Sequence, residues 1–217
     1  MVVDMEIAFS KQADINVEKW FTDDEVKEWE KLSSSKRLSR IVGRIAAKKA
    51  ARQYFDSMGM ADISYTDFTV QNTSSGMPMF FIRGALAKDV RISLSHSADV
   101  AMAMVDTDES GAFGIDIESI RDFDTETVEN FLDENEFLEY QALLDVHERS
   151  DFATLRWSLK EACLKALGTG LREHPKSISV VRLTNGGYDL YCAGIRLGRG
   201  NEHTLPYADS DDTLVAV

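Results

Sequence analysis

The 217-residue, 24.3 kDa chain is 44% hydrophobic and 28% charged with only 3 Pro. This is the make-up of a folded protein with a sizeable core, and it excludes a disordered or collagen-like one. The net charge of −13 excludes a general nucleic-acid binder, because phosphate backbones are held by Lys and Arg. No apolar run reaches the roughly 20 residues that a membrane span needs. Met1 to Ser10 contains Asp4 and Glu6 without a basic start, a poor signal peptide. Cys163 and Cys192 lie outside any CxxC spacing, so a reducing, cytoplasmic setting is expected.

In chain order, residues 1–35 are mixed, with short helical pieces around Asp23–Leu32. Ser33, Ser34 and Ser35 read as an N-cap cluster for a helix running to about Met58. That helix begins with Lys36, Arg37, Arg40, Arg44, Lys48, Lys49 and Arg52, seven basic residues without an acid. Leu38, Ile41, Val42 and Ile45 form its apolar face, and Arg37, Arg40, Arg44, Lys48 and Arg52 another. Outside this stretch the other 200 residues carry −20. Such a stripe suits a compact polyanion, and equally a solvated helix face. Strands are expected at Ile63–Val70, Arg91–Ser95 and Val100–Val105, with a turn at Asn72–Gly76 and an apolar stretch at Met79–Ile82. Asp106–Gly111 is polar, closed by Gly, and the best hinge in the chain.

The second half opens with a strand at Phe113–Glu118, followed by helices at Thr125–Leu132, Glu134–His147 and Phe152–Leu167. Gly168 and Gly170 end the last of these. Strands return at Ile178–Leu183, Tyr188–Cys192 and Thr213–Val217, with Asn185-Gly186-Gly187 as a hairpin turn. Each half thus carries a long helix and several strands.

Alternation in Gly114-Ile115-Asp116-Ile117-Glu118 puts Ile115 and Ile117 on one face and both acids on the other. Two carboxylates so close raise each other's pKa unless a cation lies between them, and Mg2+ accepts such a pair while keeping water and phosphate oxygens. By themselves they fit a solvent-facing strand as well. In Trp157-Ser158-Leu159-Lys160-Glu161-Ala162-Cys163-Leu164-Lys165, Trp157, Glu161 and Lys165 share one helix side. They make either an ordinary Glu–Lys pair beside a core tryptophan or a third metal carboxylate flanked by Lys160 and Lys165. Cys163, amid apolar neighbours, is expected to pack rather than react. Ser95-His96 at a strand end suits a phosphate or a capped turn; a triad with Asp99 is excluded because adjacent strand residues point apart.

The Gly114–Glu118 and Trp157–Lys165 segments, with 40 residues between Asp116 and Trp157, resemble the two-part signature of the 4'-phosphopantetheinyl transferase superfamily, in its larger, Sfp-type branch. Gly43-Arg44, Gly76-Met77-Pro78 and Ser95-His96 follow the family's order, and the resemblance spans roughly Lys36 to Leu171. It implies an α+β fold of two pseudo-symmetric halves, 1–108 and 109–217, with the active site in the cleft between them. It implies a cytoplasmic monomer that moves the phosphopantetheine arm of coenzyme A onto a serine of an apo acyl or peptidyl carrier protein, with Mg2+, in fatty acid or secondary-metabolite biosynthesis. Asp116, Glu118 and Glu161 would hold the metal, with Glu161 the base and Lys165 acting with it. Lys160 and Lys165 would hold the pyrophosphate, and Lys36, Arg37, Arg44, Ser95 and His96 the nucleotide end. Two positions depart from the pattern: Met77 stands where lysine is frequent and Asn72 where a basic residue is, with Arg83, Lys88 or Arg91 as substitutes. A non-catalytic coenzyme A or carrier-binding module, or another Mg2+-dependent nucleotide phosphotransferase, is the alternative.

Overall fold

The computed structural model describes residues 6–11, 16–60, 62–74, 76–97, 100–106, 111–184, 186–204 and 213–216. The chain divides into two compact units, Met1–Gly111 and Ala112–Val217, each mixing helices with antiparallel sheets. Among the described residues no helix is long and apolar enough to cross a membrane.

The first unit runs β1 (Glu6–Lys11), α1 (Val17–Trp20), α2 (Asp23–Trp29), α3 (Ser34–Ser57), β2 (Phe68–Asn72), β3 (Pro78–Ile82), β4 (Ala85–Leu86), β5 (Arg91–Ser97) and β6 (Val100–Asp106). Its sheets are β1–β6–β5 and β2–β3–β4. Helix α3 starts after Ser33, which holds the N-cap position without a side-chain capping bond, and buries Val42, Ala46, Ala47, Ala50, Ala51, Tyr54 and Phe55 in a core shared with Phe68, Val70, Phe80, Ala101 and Val105. Four alanines let the helix axis approach the sheets closely, and Phe55, Phe68 and Phe80 fill the rest with ring contacts. Ile41 and Ile45 pack instead on Trp20, Phe21 and Trp29. Two sides of α3 are therefore covered, and its apolar surface is wider than the single expected stripe.

The second unit runs β7 (Asp116–Ser119), α4 (Thr125–Phe131), α5 (Glu134–Ala142), α6 (Val146–Ala166), β8 (Ile178–Arg182), β9 (Tyr188–Cys192), β10 (Ile195–Gly200), β11 (Glu202–Thr204) and β12 (Thr213–Ala216), with sheets β8–β9–β10 and β11–β12–β7. The order repeats that of the first unit: two short helices, a long one, 3-10 structure, then a three-stranded meander. The meanders agree in detail. Both turn through a glycine at positive φ (Gly76, 89°; Gly186, 90°), then through Arg83-Gly84 or Ala193-Gly194, where both residues have positive φ. Two successive positive-φ residues are what a two-residue hairpin needs to follow the strands' twist.

Several boundaries differ from expectation. The Ile63–Val70 strand starts at Phe68, because Ser64 and Asp67 form a reciprocal capping box that nucleates a 3-10 turn at Tyr65–Asp67. The helix expected over Glu134–His147 ends at Ala142. Asp145 then accepts from the His147 and Glu148 N–H groups (2.8 and 3.1 Å) and starts α6 six residues before Phe152. In Phe113–Glu118, only Asp116 onward pairs with β12. Strands β1, β4, β10 and β11 are not foreseen. Asp99, residues 107–110, Asn185 and Val217 lie outside the described residues, and with them most of the hinge and part of one hairpin turn.

Candidate active site

The segment before and within β7 lies against α6. Gly114, Asp116 and Glu118 share the face turned to the helix; Ile115 and Ile117 are fully buried on the other. Gly114 has a reason to be glycine: an added Cβ would stand 2.0 Å from the Ala162 carbonyl oxygen and 2.6 Å from the Ala166 nitrogen. That close approach brings Asp116 under the helix. Its Oδ2 accepts from the Ser158 hydroxyl at 2.8 Å, and its Oδ1 meets the Lys165 ammonium at 2.7 Å. Lys165 also donates to the Ile115 carbonyl at 3.0 Å. Glu118 accepts from the Trp157 indole N–H at 3.1 Å. Asp116, expected on an open polar face, is thus buried beneath α6.

Glu161 stands one turn from Trp157 and one from Lys165 on the same helix side. Burial, and next the charge of Asp116, raises its carboxyl above the ordinary range; Glu118 adds to this and Lys165 opposes it. Glu118 is raised for the same two leading causes. Asp116 is therefore close enough to both glutamates to oppose their ionisation. Glu161 Oε1 is buried without a hydrogen-bond partner. An unpartnered buried carboxylate oxygen is costly, and a hard cation is the partner that this donor set suits. Among the described residues, no three His, Cys, Asp or Glu side chains stand in a metal-ligating arrangement; the cation seated on Asp116 is Lys165. Cys163 is no nucleophile: burial pushes its thiol up to about 11.

Lys160 departs from the expected role. Its side chain has no exposed surface, and its ammonium meets Glu136 Oε2 at 2.5 Å and the Phe131 carbonyl at 2.7 Å. An ammonium sealed between a carboxylate and a carbonyl has no face left for a pyrophosphate, because it lies among the buried residues of α6. Burial pushes the Glu136 carboxyl up and the Lys160 ammonium down; their contact opposes both shifts. Removing one partner from such a pair strands a buried charge, at a cost of about 3–5 kcal/mol.

In the first unit, much of the expected basic stripe is engaged internally. Arg37 donates to the Trp29 and Glu30 carbonyls (3.0 and 2.9 Å), closing the end of α2 rather than facing solvent. Arg44 is buried, donates to Asn72 Oδ1 at 2.7 Å, and is lowered to about 10, first by burial and then by Arg40. Asn72, at a position where the family often has a cation, thus receives one from α3. Lys48 is buried on Glu25, and Arg52 pairs with Asp56. Lys36 is exposed in the first turn of α3, and on β5 Ser95 is buried while His96 is exposed. Of the substitutes, Arg83 pairs with Asp62 and Asp67, Arg91 pairs with Asp106, and Lys88 is exposed.

Glu136, Ser158 and the packing role of Gly114 are not anticipated from sequence. The signal for Glu136 is Asp133-Glu134-Asn135-Glu136, a capping box 24 residues before Lys160; Thr22-Asp23-Asp24-Glu25 precedes Lys48 by 23 in the same way.

Comparison with known proteins identifies the class to which this carboxylate strand and lysine-bearing helix belong. The family model of the 4'-phosphopantetheinyl transferase superfamily matches residues 112–213. The holo-acyl-carrier-protein synthase of Streptococcus sanguinis is 31% identical over 109 residues, covering 50% of this chain and 88% of that protein. The synthase of Oceanobacillus iheyensis is 29% identical over 89 residues, 41% of this chain and 74% of that protein. Among solved structures, the Thermotoga maritima holo-acyl-carrier-protein synthase aligns with a TM-score of 0.38 at 19% identity, covering 58% of this chain and 73% of that one. The chain belongs to the 4'-phosphopantetheinyl transferase superfamily.

Proposed function

We propose that this protein transfers the 4'-phosphopantetheine arm of coenzyme A to a serine of an apo acyl or peptidyl carrier protein, releasing 3',5'-ADP, with Mg2+ held by Asp116, Glu118 and Glu161. The observation that carries the metal reading is the buried, unpartnered Oε1 of Glu161 beside two further carboxylates. The carrier is taken from the relatives, which are named holo-acyl-carrier-protein synthases, and coenzyme A from the resemblance to the phosphopantetheinyl transferases. When bound, the metal supplies positive charge to a diphosphate and lowers the repulsion among the three acids. The serine oxygen bonds to the phosphorus bearing the pantetheine arm, and the bond from that phosphorus to 3',5'-ADP breaks. Glu161 takes the hydroxyl proton. Lys165, 26% exposed along its side chain, neutralises charge on the diphosphate oxygens. Lys36 and His96, both exposed, and the buried Ser95 are the proposed contacts for the nucleotide end, with Arg44 acting through Asn72.

The Sfp-type branch is supported by length. An alignment covering 74% of the Oceanobacillus protein takes up only 41% of this chain, so that relative is little more than half as long. The first unit adds a second set of the same elements, which supports a monomer of two like halves. The free thiols of Cys163 and Cys192 agree with a reducing, cytoplasmic setting.

Incubation with coenzyme A, Mg2+ and an apo carrier protein, followed by mass spectrometry of the carrier, tests the reading. Gain of one phosphopantetheine arm that chelator abolishes is expected. Coenzyme A binding with an unchanged carrier would favour a non-catalytic module, and nucleotide products without a carrier another phosphotransferase. Metal binding has its own signature. Glu118 and Glu161 are raised on folding, so without a cation they subtract stability as pH climbs from the ordinary value of 4.5 through their raised values. Excess Mg2+ is expected to raise the melting temperature by about 5 °C at pH 8 and by less than half of that at pH 5. Equal shifts at both pH values would remove these carboxylates from the metal site.

A further inference from the structure

Two buried clamps of the same construction recur in the two units. In the second, Lys160 Nζ donates to Glu136 Oε2 (2.5 Å) and to the Phe131 carbonyl that ends α4 (2.7 Å). Glu136 Oε2 also accepts from the Asp133 N–H at 2.8 Å, and Oε1 from the Val180 N–H at 3.1 Å. One ion pair thus ties α4, α5, α6 and β8 together. In the first unit, Lys48 Nζ donates to Glu25 Oε2 (2.9 Å) and to the Trp20 carbonyl at the end of α1 (2.7 Å), and Glu25 Oε2 accepts from the Thr22 N–H at 3.0 Å. Both lysine side chains have no exposed surface. The residue after Lys160 is Glu161; the residue after Lys48 is Lys49. The clamp therefore occurs with a carboxylate beside it and without one, so it belongs to the fold and not to a ligand.

We propose that Glu136 and Lys160 are positioning residues that set the rotation of α6 about its axis, and thereby the placement of Glu161 and Lys165 against Asp116. This rests on the proposed function of those three residues. A helix with side chains extending about 5–6 Å from its axis moves their tips by roughly 2 Å for a 20° rotation. Misplacement by about 1 Å can cost a reaction about 100-fold. The side chain of Lys160 leaves α6 about 100° from that of Glu161, so a grip on one fixes the direction of the other. Glu136 cannot act by touching substrate, because it is 3% exposed and its oxygens are taken up by Lys160, Asp133 and Val180.

The test is steady-state transfer with Lys160→Met, Glu136→Gln and the double variant of the full chain. Lys160→Met is expected to lower kcat about 10–100-fold, with KM for coenzyme A changed by less than about 3-fold, and to lower the melting temperature. Glu136→Gln removes the charge facing Lys160 and keeps only one acceptor oxygen, so one of the Asp133 and Val180 N–H groups also loses its partner; it too is expected to lower kcat. The double variant, in which neither Lys160 nor Glu136 leaves the other's charge unpaired, is expected to regain part of both kcat and melting temperature. A rise in KM for coenzyme A that the double variant does not reverse would overturn the proposal in favour of direct pyrophosphate contact, as would an unchanged kcat in Glu136→Gln. Should Lys160→Met not fold, Glu136→Gln alone decides between the two. If the unsubstituted chain transfers nothing, the functional reading fails separately. The clamp is then read from the Mg2+-induced rise in melting temperature, which Glu136→Gln must diminish; an unaltered rise overturns it.

Discussion

Asp116→Ala is expected to lower phosphopantetheine transfer by about 1000-fold or more, the largest catalytic loss of any single substitution in the chain. Asp116 is the acid that α6 touches twice, through Ser158 at 2.8 Å and Lys165 at 2.7 Å, and its charge helps raise both Glu118 and Glu161. Its removal strands the Lys165 ammonium and takes a carboxylate from the proposed metal set. Asp116→Asn separates the two effects. The amide still accepts from Ser158, so its melting temperature should stay closer to that of the unsubstituted protein, while transfer and the Mg2+-induced stabilisation are both lost. Transfer by the Asn variant above about a tenth of the original rate would remove the negative charge of Asp116 from the mechanism.

Gly114→Ala is expected to be the most destabilising single-methyl change, at about 3 kcal/mol or more, or about 10 °C or more in melting temperature. The new Cβ meets backbone atoms of Ala162 and Ala166 at 2.0 and 2.6 Å. Hydrogen-bonded helix backbone cannot swing aside as a flexible side chain would, so β7 and α6 must part. Parting draws Asp116 away from Lys165, and transfer should fall together with stability. Gly43→Ala is the control. This glycine lies within α3, where an added Cβ meets nothing within 4 Å, so alanine should stabilise by about 0.5–1 kcal/mol through helix propensity. Thermal melts of the two variants decide the point; equal behaviour would show that the strand and the helix separate at little cost.

The carboxylate strand and the lysine-bearing helix are legible in the sequence because alternation and 3.6-residue periodicity are local. Asp116 and Glu118 share a face by pleat alone, and Glu161 and Lys165 share a side by helical pitch alone. The start of α6 is not legible in the same way, because Leu143 and Leu144 continue a plausible helical pattern. The break is made by Asp145 capping the next helix and by Arg149 donating to the Leu143 carbonyl at 2.8 Å, a contact across the break. The basic stripe misleads for a similar reason. Charge on one helix face looks solvated until a neighbouring element supplies acceptors, and α2 with the residue after it supplies Glu25, the Trp29 carbonyl and the Glu30 carbonyl.

Lys160 and Lys165 show most directly where local pattern stops. Both are lysines on one helix, five residues apart, beside a signature glutamate. Five residues is about 500° of helical rotation, so they leave the axis about 140° apart. What each meets depends on which elements pack there. The chain alone determined the residue types, their pleat and pitch, and hence the acids on one strand and the Glu161–Lys165 helix side. Tertiary packing decided that Lys165 reaches Asp116 while Lys160 is sealed against Glu136, because an ammonium's role is set by the partner within hydrogen-bond reach, and that partner comes from a distant part of the chain.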